Sequence, residues 1–192
     1  MLKEFTSKIF SLNLVCAFGV LLLASIDACA EEKIFNSKIA VVDVESILEH
    51  SLAINHIKKT INNISNKIQN DFTQKEIELK EFEHELIKQR GVISEEDFNL
   101  KVVKFNKDVS VAQHKMQKKK IALEQAHSEA MAIVHKNTIN VISKLSNKYG
   151  FDIVLPSAQV MFVKNNLNIT LEVISELNEK LPMVEVKYNI DN

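Results

Sequence analysis

Turn-forming residues and tryptophan are what this chain of 192 residues most lacks: it has two prolines, three glycines and no tryptophan. So few breaking points exclude a turn-rich β fold, and with 26% charged residues they favour long helices. Cysteine is nearly absent as well, with only Cys16 and Cys29, both in an apolar N-terminal region. A chain trimmed there would hold no disulfide, thiol nucleophile or cysteine-ligated metal. Charge of one sign is also missing, since 24 basic residues face 25 acidic ones for a net charge of −1. No overall field then recruits nucleic acid or an anionic membrane. The chemistry of an enzyme is not visible either. The six histidines, His50, His56, His84, His114, His127 and His135, show no clustered ligand spacing. Ser157 has neither a glycine elbow nor an obvious base, and no glycine-rich loop cradles phosphate. We therefore expect no catalytic site, no metal and no cofactor.

The N-terminus has the parts of a secretory signal in order. Lys3 and Lys8 precede an apolar run over residues 9–26, and Ala28 and Ala30 supply small residues at −3 and −1. The pattern predicts a signal peptide over residues 1–30, cleaved after Ala30, with residues 31–37 as a polar linker. The run is also long enough for an uncleaved anchor in the inner membrane, and both readings fit its length.

What fills the middle is one stretch, residues 45–149, with a single glycine and no proline. Gly91 suits the left-handed turn that ends a helix. Ser94 with Asp97 three residues later marks a new start, because a short oxygen satisfies the first free N–H groups. Two helices folded back on each other are predicted, about 70 and 80 Å long at 1.5 Å per residue, with a tip near 91–94. The first carries Ile54, Ile57, Ile61, Ile64, Ile68, Phe72, Leu79, Phe82 and Leu86 at steps of three or four, with Lys75 in the seam. The second carries Phe98, Val102, Phe105, Val109, Ala112, Met116, Leu123, Ala126, Ala130, Val134, Val141 and Leu145, interrupted by Lys119. Each has one narrow stripe, as in a coiled-coil hairpin. Centring the turn near Val92 sets Lys119 level with Ser65 and Asn66, a polar height where the hairpin could flex. Alternatively Lys119 lays its stem along the seam and holds its charge in water.

Strands flank the hairpin. Residues 38–44 are apolar and β-branched, residues 151–155 and 160–164 read as two more strands, and Thr170 caps a short helix over 171–180 stopped by Pro182. The fold class is thus α+β, mostly α: a long antiparallel coiled-coil hairpin over residues 51–139 projecting from a small β-rich body. Residues 38–50 and 140–182 make that body, and residues 183–192 read as a loose tail. So small a body buries little surface, which points to several chains meeting there.

The run Lys38-Ile39-Ala40-Val41-Val42-Asp43-Val44 entering a helix, Tyr149-Gly150-Phe151-Asp152-Ile153-Val154-Leu155-Pro156 after the hairpin, and Asn168-Ile169-Thr170 before the last helix resemble the Skp/OmpH family of periplasmic chaperones. The resemblance covers nearly all of the chain after the signal and is specific in the ends and their order. It implies a homotrimer whose body assembles three hairpin arms around a cavity. It also implies an ATP-independent holdase for unfolded outer-membrane proteins in the periplasm. Family members are strongly basic where this chain is nearly neutral, and Asn168 stands where the family usually has aspartate.

On that reading Val41, Val42, Val154 and Phe162 are expected to hold the trimerisation body together. Ile77, Ile87, Val103 and Val111 lie off the seam and are expected to offer apolar contacts to the client. Charge is uneven along the arm: residues 98–120 hold seven lysines against Asp108, and residues 71–85 hold six acids against two lysines. Either these strips pair across the hairpin, or Lys115, Lys118, Lys119 and Lys120 form a basic strip for acidic clients, lipopolysaccharide or another anionic lipid surface. A structural adaptor bridging envelope components through its coiled coil is the competing function.

Overall fold

The computed structural model describes residues 37–190. The expected signal peptide and nearly all of the linker lie outside the described residues. Strand β1 (Ile39–Val42) leads into helix α1 (Val44–His50), then α2 (Leu52–Gln89), α3 (Glu95–Tyr149), strand β2 (Ile153–Pro156) and α4 (Thr170–Lys180). By rise alone, the 38 residues of α2 reach about 57 Å and the 55 of α3 about 82 Å. They form the expected hairpin.

Its tip is built as the residues predict. Gly91 adopts φ +81, and the N–H groups of Val92 and Ile93 both bond the Gln89 carbonyl. Ser94 Oγ accepts from the Asp97 N–H at 3.1 Å while its hydroxyl donates to the Asp97 carboxylate at 2.6 Å. Glu95, Glu96 and Asp97 also place negative charge on the positive end of α3. At the other end Gly150, φ +72, closes α3 by donating to the Ser146 carbonyl.

β1 and β2 pair in parallel from Ile39↔Ile153 to Val42↔Pro156. Parallel strands need a long connection, and here the whole arm is that connection. The other edge of β1 meets the segment before α4: Ile169 N–H donates to the Val41 carbonyl at 3.0 Å. The core lies at the arm's root, where Val42, Ile47, Ile54, Ile57, Val134, Val141, Leu145, Val173 and Leu177 are all buried.

Four expectations need correction. The first helix is not continuous through residues 45–90. It breaks at Ser51, fully buried with ψ 125, which ends α1 and caps α2. Asn178 of α4 supplies what the break leaves unpaired, accepting from Leu52 N–H at 2.8 Å and donating to the His50 carbonyl at 3.2 Å. Residues 160–164 form no strand: the sheet stops at β1 and β2, and these residues do not pair with the open outer edge of β2. Thr170 is the first residue of α4 rather than its cap. Asn168 Oδ1 accepts from the Thr170 N–H at 3.0 Å, and the Thr170 hydroxyl in turn accepts from Asp43 N–H at 2.8 Å. Finally, the tail is packed: Val184 is buried in the core and Val186 lies against it.

Candidate binding surface of the arm

The seam of the arm closes as a coiled coil near the tip and opens in the middle. Phe82 and Phe105 stack across it with ring centroids 6.0 Å apart, and Lys101 donates to the Gln89 side chain nearer the tip. Further toward the root a cleft of about 440 Å³ separates the helices. Ile68, Phe72, Ala112 and Met116 give it an apolar floor. Lys75, Lys115 and Lys119 stand beside it with Asp71 and Asp108. The small Ala112 and the charged seam residues leave too little apolar volume to fill this height.

The Lys119 ammonium does not stay at the height of Ser65 and Asn66. It sits 2.8 Å from the Asp71 carboxylate, about one and a half turns nearer the tip. Helical side chains lean toward their own N-terminus, and for α3 that end is the tip. The Lys119 side chain is 19% exposed against 51% for Asp71, so its stem does run along the seam while its charge is paired. The neighbouring ammonium holds the Asp71 carboxyl below the usual carboxylate range, chiefly by its hydrogen bond and then by its charge.

The remaining candidates are distributed along the arm. Ile77, Ile87, Val103 and Val111 are exposed at 45%, 63%, 66% and 55%. Val111, Lys115 and Lys119 come together at the cleft, whereas Ile77 does not reach it and Ile87 and Val103 lie toward the tip. Lys118 and Lys120 face solvent. The expected pairing of charged strips is sparse: among the described residues Lys119–Asp71 is the ion pair that crosses the hairpin, while Lys75–Glu78 and Lys88–Glu85 stay within α2. The basic strip is thus mostly unpaired.

At the body the four expected assembly residues divide. Val41 and Val42 are buried by their own chain and have no surface left for another chain. Val154 is partly buried against the core. Phe162 is 82% exposed, and Met161 beside it is fully so. Among the described residues no group of histidine, cysteine and acidic side chains could hold a metal, and no helix is long and apolar enough to cross a membrane.

A family model described as outer membrane protein (OmpH-like) matches residues 38–177. The chain belongs to the OmpH-like family. The match runs from the residue before β1 into α4, so it spans both ends of the body and the whole arm. This OmpH-like chain also shares its fold with a protein of Caulobacter crescentus CB15 assigned as an OmpH-like outer membrane chaperone, at TM-score 0.74 and 14% identity. That similarity covers 81% of this chain and 92% of the other. No curated protein matches the sequence. The OmpH-like match stops within α4, and the packed tail lies beyond it. Its residues were missed by reading the helical period alone. The signal that would have found them is the alternation of Val184, Val186, Tyr188 and Ile190 with Met183, Glu185, Lys187 and Asn189.

Proposed function

We propose that this chain is an ATP-independent periplasmic holdase, exported by a signal peptide cleaved after Ala30, that keeps unfolded outer-membrane proteins from aggregating. The observation that carries this reading is the arm itself. Its apolar residues beyond the seam stand exposed along its length, and most of its lysine strip has no partner. A surface of many weak, unspecific contacts suits a client without a fold. Three arms around one client turn contacts of about millimolar strength into useful affinity through effective concentration.

Assembly as a homotrimer would occur through the body. Exposed Met161 and Phe162, with the groove near Val44, Leu48 and Ile139, offer the apolar area for it. Val41 and Val42 support assembly by shaping the body from within. Lipopolysaccharide or another anionic lipid would meet the strip of Lys115, Lys118 and Lys120. No catalytic step and no cofactor enter this function.

Diluting a urea-unfolded β-barrel protein into the purified chain tests the proposal. The client should stay soluble in a defined complex, and sedimentation of the chain alone should give a trimer. A client that aggregates as fast as in buffer would sink the holdase reading in favour of an adaptor.

A further inference from the structure

Among the described residues, the tail after α4 is the segment whose pattern matches neither arm nor body. Residues 183–190 carry apolar side chains at every second position and bend once, in a tight turn at Lys187 closed by the bond from the Tyr188 N–H to the Val186 carbonyl. Val184, Val186, Tyr188 and Ile190 are turned away from solvent, and Met183, Glu185, Lys187 and Asn189 face it. That is the pattern of a β-strand with one apolar face. Yet no strand pairs with it among the described residues. It lies instead on helices. His56 Nδ1 donates to the Val184 carbonyl at 3.1 Å, Val184 and Val186 pack on the core, and Tyr188 lies within electrostatic reach of Lys119 and Asp71 at the root side of the cleft.

The attachment is incomplete in a telling way. Of the four inward side chains only Val184 is fully buried. The Tyr188 N–H bonds back to the Val186 carbonyl rather than to the arm. The Tyr188 hydroxyl is buried with no hydrogen-bond partner among the described residues, an arrangement that opposes docking. Burial pushes its phenol above the ordinary range, with Lys119 acting against the shift and Asp71 adding to it. A permanent strap would satisfy that hydroxyl. A removable one need not.

We infer that residues 183–190 are an internal ligand. They occupy a groove along the root of the arm that takes extended peptides with apolar side chains at alternate positions, and they leave it when such a peptide binds. The strands of a β-barrel have this alternation, with one face apolar. The groove's natural ligand rests on the holdase reading; the groove itself does not.

The test uses the full chain and a fluorescent peptide with the sequence of residues 182–192. A tethered tail at about millimolar effective concentration, facing a groove with a dissociation constant on the order of 100 µM, would weaken free-peptide binding roughly tenfold. Tyr188→Glu should expel the tail and bind the peptide about tenfold tighter than the unsubstituted chain. Tyr188→Phe should hold the tail more firmly and bind the peptide several-fold more weakly. A peptide of the same composition with its apolar residues contiguous should bind none of them. Equal affinity in all three chains overturns the inference, as does a Tyr188→Glu chain that loses amide protection over residues 184–188 yet binds no peptide. Should that variant lose its helical circular dichroism, the unsubstituted chain decides. Excess peptide must speed amide exchange in its tail, and unchanged exchange overturns the inference. An unfolded β-barrel protein that fails to displace bound peptide refutes the holdase reading and leaves the groove standing.

Discussion

Thr170 shows how much of the body hangs on one hydroxyl. It accepts from Asp43 N–H, donates to Asn168 Oδ1 at 2.6 Å, and so ties the start of α1 to the start of α4 across 127 residues of sequence. Thr170→Val keeps the shape but leaves the Asp43 N–H without that acceptor. We expect a loss of about 1–3 kcal/mol in chemical denaturation, with Thr170→Ser restoring most of it. The Lys119–Asp71 pair is the second residue-scale test. Its folded carboxyl value lies below the unfolded one, so the pair's contribution is present above about pH 4 and fades as the pH falls further. Carboxyl NMR should find Asp71 titrating below the ordinary aspartate value, and Lys119→Gln should return it toward that value.

Among the elements, the break between α1 and α2 is the least expected. An unbroken helical period runs through His50, Ser51 and Leu52, and a local reading continues the helix. The partner that makes the break tolerable, Asn178, arrives 126 residues later. Asn178→Ala should cost about 1 kcal/mol in thermal or chemical unfolding, because one carbonyl and one N–H lose a partner that water partly replaces. The two long helices, their tip and the Ser94 cap were legible in the sequence because each is set by neighbours within a few residues. The strand expected over residues 160–164 has the composition of a strand, yet it makes no ladder with the open outer edge of β2. Composition alone does not supply a partner.

For the whole molecule, the arm and the root separate cleanly. Leu177 is fully buried in the root, and Leu177→Ala should destabilise the entire chain by about 2–5 kcal/mol in denaturant. Replacing Ile77, Ile87, Val103 and Val111 together with asparagine should leave helicity and assembly intact while client capture falls. Unchanged suppression of aggregation would remove these residues from the binding surface. If Lys115, Lys118 and Lys120 attract acidic clients, changing them to glutamine should flatten the salt dependence of capture. An unaltered salt dependence would leave them as solubilising charge.

By itself the sequence determined what depends on local spacing: two helices with narrow stripes, a glycine at each turn, a serine cap at the second start, and few residues capable of anything but helix between. It also made clear that so narrow a seam cannot be a core. Tertiary structure decided everything that depends on who meets whom. It moved Lys119 from Ser65 and Asn66 to Asp71 because side chains lean toward their helix's N-terminus. It spent Val41 and Val42 inside the chain and left Phe162 outside. It drew the tail onto the arm, because an alternating apolar face buries itself on whatever groove lies within reach of its tether.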